Sequence, residues 1–147
     1  MDRSLENSPP DLSHADPALR DRILAGHAAV LSQVNYFRSN FGQTTSQWKK
    51  DGTRVTEVDE RISEELFLPL GKAFPEDDYC SEESVETASP ISLKSEFCWL
   101  LDPVDGTNNY AVGITECGIS LGLLRHGIPV YGFIYDYSRD KLLQGGQ

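Results

Sequence analysis

Apolar residues recur at helical spacing in two stretches in the first half of the chain. In the first stretch they lie three, four or seven positions apart, which places them on one face of a helix. These residues are Leu19, Ile23, Val30, Val34 and Phe37. Asp16-Pro17 is typical of an N-cap followed by proline at the first helical position, and a polar stretch, Ser39 to Gly52, follows the helix. We therefore predict an amphipathic helix from Asp16 to about Phe37.

The second stretch repeats its apolar residues every four positions. It begins with Thr56-Glu57-Val58-Asp59, which has the form of a capping box. The repeating positions are Val58, Ile62, Leu66 and Leu70. This pattern predicts a second helix, and Pro69 is expected to kink or end it because proline cannot donate a helical hydrogen bond.

Beyond Pro75 the period changes to that of strands. The run Phe97–Leu101 is short and wholly apolar, as in a buried strand. Two further strands are predicted near Gly118–Leu124 and Ile128–Tyr137, joined by a turn at Arg125-His126-Gly127. Lys141–Leu143 is the expected start of another strand.

Helices followed by adjacent strands predict a layered α/β or α+β domain. In it, two N-terminal helices pack on a largely antiparallel sheet. Residues 1–15 lack periodicity and have no apolar core, so they predict a flexible tail and no secretory signal. Residues 16–147 form the predicted domain. No run approaches the ~20 apolar residues that cross a membrane, so we expect no membrane span.

The chain is acidic, which bears on its partners. Thirteen Lys and Arg oppose 23 Asp and Glu, leaving a net charge of −10. Such a charge repels nucleic acid and anionic membrane, so we expect neither as a partner. Nine of the acids and one base lie between Pro75 and Asp105. A run of this kind is either a solvated face or a cation site, and the order of its residues decides between them.

The strongest chemical signal is Asp102-Pro103-Val104-Asp105-Gly106-Thr107, directly after the buried run. Two carboxylates at a strand end lie where ligands bind in such folds. Gly106 permits a tight turn, and Thr107 can open a helix whose free N–H groups suit a phosphate. Upstream lies the pair Glu82-Glu83. Carboxylates with a backbone carbonyl form a hard oxygen ligand set of the kind that Mg²⁺ prefers.

Together these residues resemble the signature of the inositol monophosphatase family. Its members carry a Glu-Glu pair, then Asp-Pro-(Ile/Leu/Val)-Asp-Gly-Thr about twenty residues later. Val55-Thr56-Glu57-Val58-Asp59 is similar to the Val-Thr-x-x-Asp segment of the family. Lys49 or Lys50 loosely matches a lysine before that segment. The resemblance implies a Mg²⁺-dependent phosphomonoesterase that is sensitive to Li⁺ and acts on a small phosphate ester.

The resemblance also implies a role for each site residue. Glu82 would bridge metals and help to hold the nucleophilic water. Asp102, Asp105 and the Val104 carbonyl would be metal ligands. Thr107 would bond the attacking water and be oriented by Asp59, while the Gly106 and Thr107 amides hold phosphate. Substrate contacts are thereby implied for Glu82, Val104, Asp105, Gly106 and Thr107.

The chain departs from the family pattern in one respect. The later Trp-Asp-x-Ala-Ala-Gly segment, whose Asp binds metal and substrate, has no counterpart around Trp48 or Trp99. We therefore expect that the chain is partial and that the C-terminal half of the domain is absent. The three cysteines show no C-x-x-C pair and suit a reducing compartment, so we expect a cytoplasmic protein. The family resemblance implies a homodimer for the complete protein.

Several alternatives compete with this interpretation. A haloacid dehalogenase motif, Asp-x-Asp-Gly-Thr, has its acids two apart, whereas here the offset is three. A calcium loop that starts at Asp102 would need Glu at its twelfth position, where Gly113 stands. A truncated module that binds Mg²⁺ weakly or only dimerises stays open. Inositol monophosphate is the first candidate substrate, with fructose 1,6-bisphosphate and histidinol phosphate as alternatives.

Overall fold

The structure, a computed structural model, describes residues 8–43, 46–48, 54–84 and 93–147. Its helices are α1 (Pro17–Asn40), α2 (Glu57–Ala73) and α3 (Thr107–Val112). Its strands are β1 (Ser46–Trp48), β2 (Arg54–Thr56), β3 (Asp78–Ser81), β4 (Phe97–Asp105), β5 (Gly118–Arg125), β6 (Ile128–Asp136) and β7 (Lys141–Gly146). A single 3₁₀ turn, Glu82–Ser84, follows β3.

Both predicted long helices are confirmed together with their caps. The Asp16 side chain accepts from the Leu19 N–H at 3.2 Å and so caps α1, which runs three residues past Phe37. Thr56 and Asp59 form the predicted capping box at the start of α2. Pro69 was predicted to kink or end this helix; it does not end it, because α2 continues to Ala73, and the kink stays a prediction. Pro69 lies on the exposed side of the helix. Proline has no N–H for the backbone carbonyl one turn earlier, and on this side that carbonyl can bond to water instead.

The strands form a mixed, mostly antiparallel sheet in the order β3-β4-β5-β6-β7. Its one parallel pair is β3 with β4, and the other neighbours are antiparallel. The hairpin between β5 and β6 turns at His126 and Gly127, both with positive φ, as the sequence predicted. β3 and the small β1–β2 ribbon were not predicted, because three- or four-residue strands carry too short a pattern.

The core lies between the two long helices and one face of the sheet. The sheet contributes alternate residues, including Trp99 of β4, Leu121 of β5 and Phe133 of β6, all fully buried. α2 buries Val58, Ile62, Leu66 and Leu70, the four residues of its predicted stripe. The predicted architecture of two helices on a largely antiparallel sheet is therefore confirmed.

The amino-terminal segment before α1 packs beside the end of the sheet. Leu12 is half-buried against the core, and the Ser8 carbonyl accepts from the Gln144 side chain at 3.4 Å. The mobility predicted for residues 1–15 stays a prediction. Among the described helices, none is both long enough and apolar enough to cross a membrane.

Candidate active site

A bulge in β4 brings Asp102 and Asp105 to the same side of the strand. Asp102 pairs with Ser120 and Asp105 pairs with Gly118, so β4 advances three residues while β5 advances two. In a regular strand, residues three apart face opposite sides, and one extra residue cancels that reversal. The spacing of the two acids alone therefore did not predict how they are disposed.

The parallel strand β3 brings Glu82 to the same edge. Ser81, the last residue of β3, pairs with Leu101, so the chain leaves the sheet beside Asp102. Glu82 is exposed and lies close to the half-buried Asp102 carboxyl. Burial, and then the negative charge of the neighbouring Glu82, raise the pKa of Asp102 to about 8. Asp105 and Asp59 contribute further negative charge.

One oxygen of Asp102 is suited to a cation. Its Oδ1 is buried and has no hydrogen-bond partner among the described residues, although buried polar atoms are normally paired. A cation at this oxygen would satisfy it and would also relieve the repulsion from Glu82. In the described part of the chain, no three Asp, Glu, His or Cys side chains are grouped so that they could together hold a metal ion. The site thus offers part of a ligand set, to which carbonyl and other oxygens must be added.

The second part of the site is a hydrogen-bonded link between α2 and α3. The Thr107 hydroxyl lies 3.1 Å from Oδ1 of Asp59 and 3.0 Å from the carbonyl oxygen of Val104. Asp59 is fully buried, and burial raises the pKa of its carboxyl, while the donors Thr56 and Thr107 oppose that rise. The predicted pairing of Asp59 with Thr107 is present in the fold.

Gly106 makes the turn that connects the two parts. Its φ is +80°, in the left-handed region, and a Cβ there would meet the carbonyl oxygen of Glu116 at 2.8 Å. Only glycine fits this position without strain, since a side chain would clash with backbone. The turn directs the chain from Asp105 into α3, so the first residue of that helix, Thr107, lies above the end of β4.

The structure thus places the predicted residues in two groups at the same end of the sheet. Glu82, Asp102 and Asp105 form the acidic group, and Asp59 with Thr107 forms the other, with Val104 between them. A groove of about 530 Å³ opens beside Glu82 and Asp102.

Glu83, the neighbour of Glu82, is half-buried, and its N–H donates to the Ser81 hydroxyl at 3.3 Å. Lys49 and Lys50 lie outside the described residues.

One contact of the site was missed at the level of sequence, and another was predicted without its connection to the site. The Ser63 and Ser81 hydroxyls are 2.8 Å apart and join α2 to the end of β3. The Thr56 hydroxyl lies 2.5 Å from Oδ2 of Asp59. The capping-box pattern predicted the contact between these two residues but not its connection to Thr107.

Comparison with known proteins identifies relatives of this chain. The sequence model described as "Inositol monophosphatase family" matches residues 21–147. The chain is similar to inositol monophosphatase 1 of Solanum lycopersicum, with 35% identity over 91 residues, or 62% of this chain and 33% of that protein. It is also similar to the fructose-1,6-bisphosphatase/inositol-1-monophosphatase of Aquifex aeolicus, with 30% identity over 88% of this chain and 48% of that protein.

Solved structures show the same fold. An IMPase/NADP phosphatase complexed with Mg²⁺ and phosphate superposes with a TM-score of 0.71 at 24% identity, covering 88% of this chain and 48% of that one. The chain therefore spans between a third and a half of the length of these proteins. The match also sets aside the haloacid dehalogenase and calcium-loop alternatives.

Proposed function

The chain belongs to the inositol monophosphatase family, and from this membership we propose that its parent protein hydrolyses a small phosphomonoester with a divalent cation. Inositol monophosphate is the first candidate substrate. The observation that carries this proposal is the buried Oδ1 of Asp102, which has no partner among the described residues and lies near Glu82 and Asp105. An acidic pocket repels a phosphate dianion, so a cation is needed before such a substrate can bind.

We propose Mg²⁺ as that cation. The carboxylates of Glu82, Asp102 and Asp105 and the carbonyl of Val104 would hold it, since Mg²⁺ prefers hard oxygen ligands and retains several waters. When bound, it would polarise the phosphoryl group and lower the pKa of the attacking water. Among the described residues no three acidic, His or Cys side chains form a metal-holding group, so the proposed set relies on the Val104 carbonyl and on water as well as on carboxylates.

The chain's own residues would orient the water and the phosphate. The Thr107 hydroxyl has one proton, and if it donates this proton to Asp59, its lone pairs are free to accept from a water. Glu82, exposed at the end of β3, would hold the same water from the other side. The turn at Gly106 would present the backbone N–H groups of Gly106 and Thr107 to the phosphate, and Val104 and Asp105 would complete the substrate contacts.

Two alternatives have support of their own. The name of the Aquifex aeolicus relative includes fructose 1,6-bisphosphatase activity, so that substrate is tested beside inositol monophosphate and histidinol phosphate. A non-catalytic module is favoured by the incomplete ligand set and by the open sheet face, where Ile134 and Leu143 are 49% and 41% exposed. Concentration-dependent sedimentation of the 147-residue chain would reveal such self-association.

The deciding experiment is phosphate release by the parent protein with each of the three esters. Turnover with Mg²⁺ that stops with EDTA supports the proposal. Turnover that is unchanged by EDTA would remove the metal from the mechanism. The 147-residue chain, assayed in parallel, is expected to show negligible turnover because part of the cage is missing.

We also propose that the parent protein is a cytoplasmic homodimer. The three cysteines, all within the described residues, are free thiols, and this suits a reducing compartment. The homodimer rests on family resemblance alone. Size-exclusion chromatography with light scattering would measure its mass.

A further inference from the structure

Thr56 donates two hydrogen bonds to the same oxygen of the Asp59 carboxylate. Its backbone N–H and its hydroxyl lie 2.8 and 2.5 Å from Oδ2 of Asp59. In return, the Asp59 N–H donates to the Thr56 hydroxyl oxygen at 3.4 Å. Both side chains are buried, Asp59 completely and Thr56 with 2% exposure. The capping box therefore does more than begin α2, because it also sets the rotation of this carboxylate.

The other oxygen of Asp59 is left for the site. Oδ1 accepts from the Thr107 hydroxyl at 3.1 Å. An ionised carboxylate can only accept, and both of its oxygens need donors when it is buried. With Oδ2 held by Thr56, the geometry directs Oδ1 towards α3. The two oxygens thus serve two different elements.

The direction of the Thr107 proton depends on this arrangement. The hydroxyl has one proton but two acceptors in reach, Oδ1 of Asp59 and the Val104 carbonyl. A hydroxyl donates to one acceptor at a time. If Asp59 rotated away, Thr107 would donate to the Val104 carbonyl, and its lone pairs would point elsewhere.

We propose that Thr56 is a positioning residue of this site: its hydroxyl holds Oδ2 of Asp59 so that Oδ1 receives the Thr107 proton. Thr56 is not among the described residues that line the groove beside Glu82 and Asp102, and its hydroxyl bonds to Asp59, so it acts through Asp59. This inference rests on the proposed function for its catalytic consequence, whereas the coupling between Thr56 and Thr107 is independent of any activity.

The activity test compares Thr56→Val, which removes the hydroxyl, with Thr56→Ser, which keeps it, in the parent protein. We expect Thr56→Val to lower kcat for phosphate release at least about tenfold with KM unchanged, because misplaced catalytic groups lose rate without losing substrate binding. Thr56→Ser should restore most of kcat. Thr56→Gly keeps an acceptable N-cap without the hydroxyl, so it covers the case in which Thr56→Val does not fold. Wild-type kcat in the Gly variant would overturn the proposal.

The control is Asp16→Ala, which removes the cap of α1 and also its exposed ion pair with Arg125 at 2.8 Å. It therefore destabilises a helix start at least as much as loss of a cap alone, at a residue that is not among the proposed site residues. We expect it to leave kcat within about twofold of wild type. An equal fall of kcat in Asp16→Ala and Thr56→Val would show that helix capping alone explains the effect, and would overturn the positioning role.

A double-mutant cycle on unfolding tests the same coupling without turnover. Thr56 and Thr107 do not bond to each other, so independent effects on the unfolding equilibrium constant should multiply. We expect Thr56→Val and Thr107→Val to deviate from multiplication by at least about twofold, as for sites in one hydrogen-bond network. The effects of Asp16→Ala and Thr107→Val on the unfolding equilibrium constant should multiply. Strict multiplication in both cycles would overturn the positioning role even in an active enzyme. A deviation in an inactive protein would uphold it while the proposed function fails.

Discussion

The carboxyl group of Glu82 lies beside that of Asp102 where the parallel strands β3 and β4 leave the sheet, and its negative charge adds to burial in raising the pKa of Asp102. In the absence of a cation the site therefore favours the protonated form of Asp102. The same proximity that makes the metal-free site unfavourable makes it a strong acceptor of positive charge. The first prediction follows from this relationship.

The stability of the metal-free protein should fall as the pH rises from about 4 towards about 8, to the extent that Asp102 controls it. Its pKa is raised from 3.8 to about 8 in the folded state, so the folded state binds more protons than the unfolded state across that interval. The contribution of Asp102 to stability is therefore fully present below its pKa in the unfolded state. It is lost as the pH rises through its pKa in the folded state. Asp102→Asn should remove this dependence in EDTA. Urea unfolding at several pH values measures it.

Asp78→Asn is the matched control for that titration. The Lys94 and Ser95 backbone N–H groups bond to the Asp78 carboxylate, and these bonds lower its pKa, led by Ser95. Its contribution has the opposite sign, because it is present above the unfolded pKa and is lost as the pH falls. The prediction for Asp102 is wrong if Asp102→Asn leaves the slope between pH 4 and pH 8 unchanged.

Removing charge from any proposed metal ligand should reduce turnover of the parent protein. Glu82→Gln, Asp102→Asn and Asp105→Asn keep side-chain size but weaken the cation cage. Each is expected to lower kcat at least ~10²-fold, comparable to the loss of a principal electrostatic stabiliser. Glu83→Gln, on the neighbouring residue, should change kcat far less. Phosphate release at saturating Mg²⁺ gives the values, and wild-type turnover in Asp105→Asn would refute the assignment of that ligand.

Gly106→Ala should destabilise the fold by about 1–3 kcal/mol, the usual range for a strained backbone position. The added Cβ would meet the Glu116 carbonyl oxygen in a conformation with φ of +80°. Gly71→Ala is the control, with an expected change in stability of the opposite sign. Gly71 lies within α2, and a Cβ there would have nothing within 4 Å, so alanine should stabilise the helix. Thermal unfolding of both variants measures the difference, and equal shifts would contradict the strain at Gly106.

The buried ion pair between Arg22 and Asp77 should be costly to break. Arg22 donates two hydrogen bonds to Asp77, at 2.8 and 2.7 Å, and Trp99 Nε1 donates a third at 3.0 Å. Asp77→Ala would leave a buried guanidinium and an indole N–H without this partner, at a cost of about 3–5 kcal/mol. Chemical denaturation measures the loss.

Glu65→Gln in the exposed pair with Arg61 provides the comparison. This pair has similar geometry, with 2.7 Å between nitrogen and oxygen, but both side chains are largely solvated. Solvent screens such a pair, so little change in stability is expected. A loss in Glu65→Gln as large as that in Asp77→Ala would show that burial is not what makes the Arg22–Asp77 pair costly to break.

The sequence alone determined the caps, helices and turns that are defined by residues close together in the chain. The caps at Asp16 and Thr56, the buried stripe from Val58 to Leu70 and the turn after Arg125 all depend on backbone groups close in the chain. The acidic motif and its expected chemistry also came from residue order. Local interactions of this kind leave periodic or positional traces that sequence can show.

Tertiary structure decided the features that depend on distant segments. The bulge that turns Asp105 to the side of Asp102 is defined by the register with β5, and no single strand encodes its partner's register. The short strand β3 forms only because β4 pairs with it, and that pairing sets Glu82 beside Asp102. Likewise, the cap formed by Thr56 and Asp59 is local in the chain, but only the tertiary approach of α3 to Asp59 gives Oδ1 its partner Thr107.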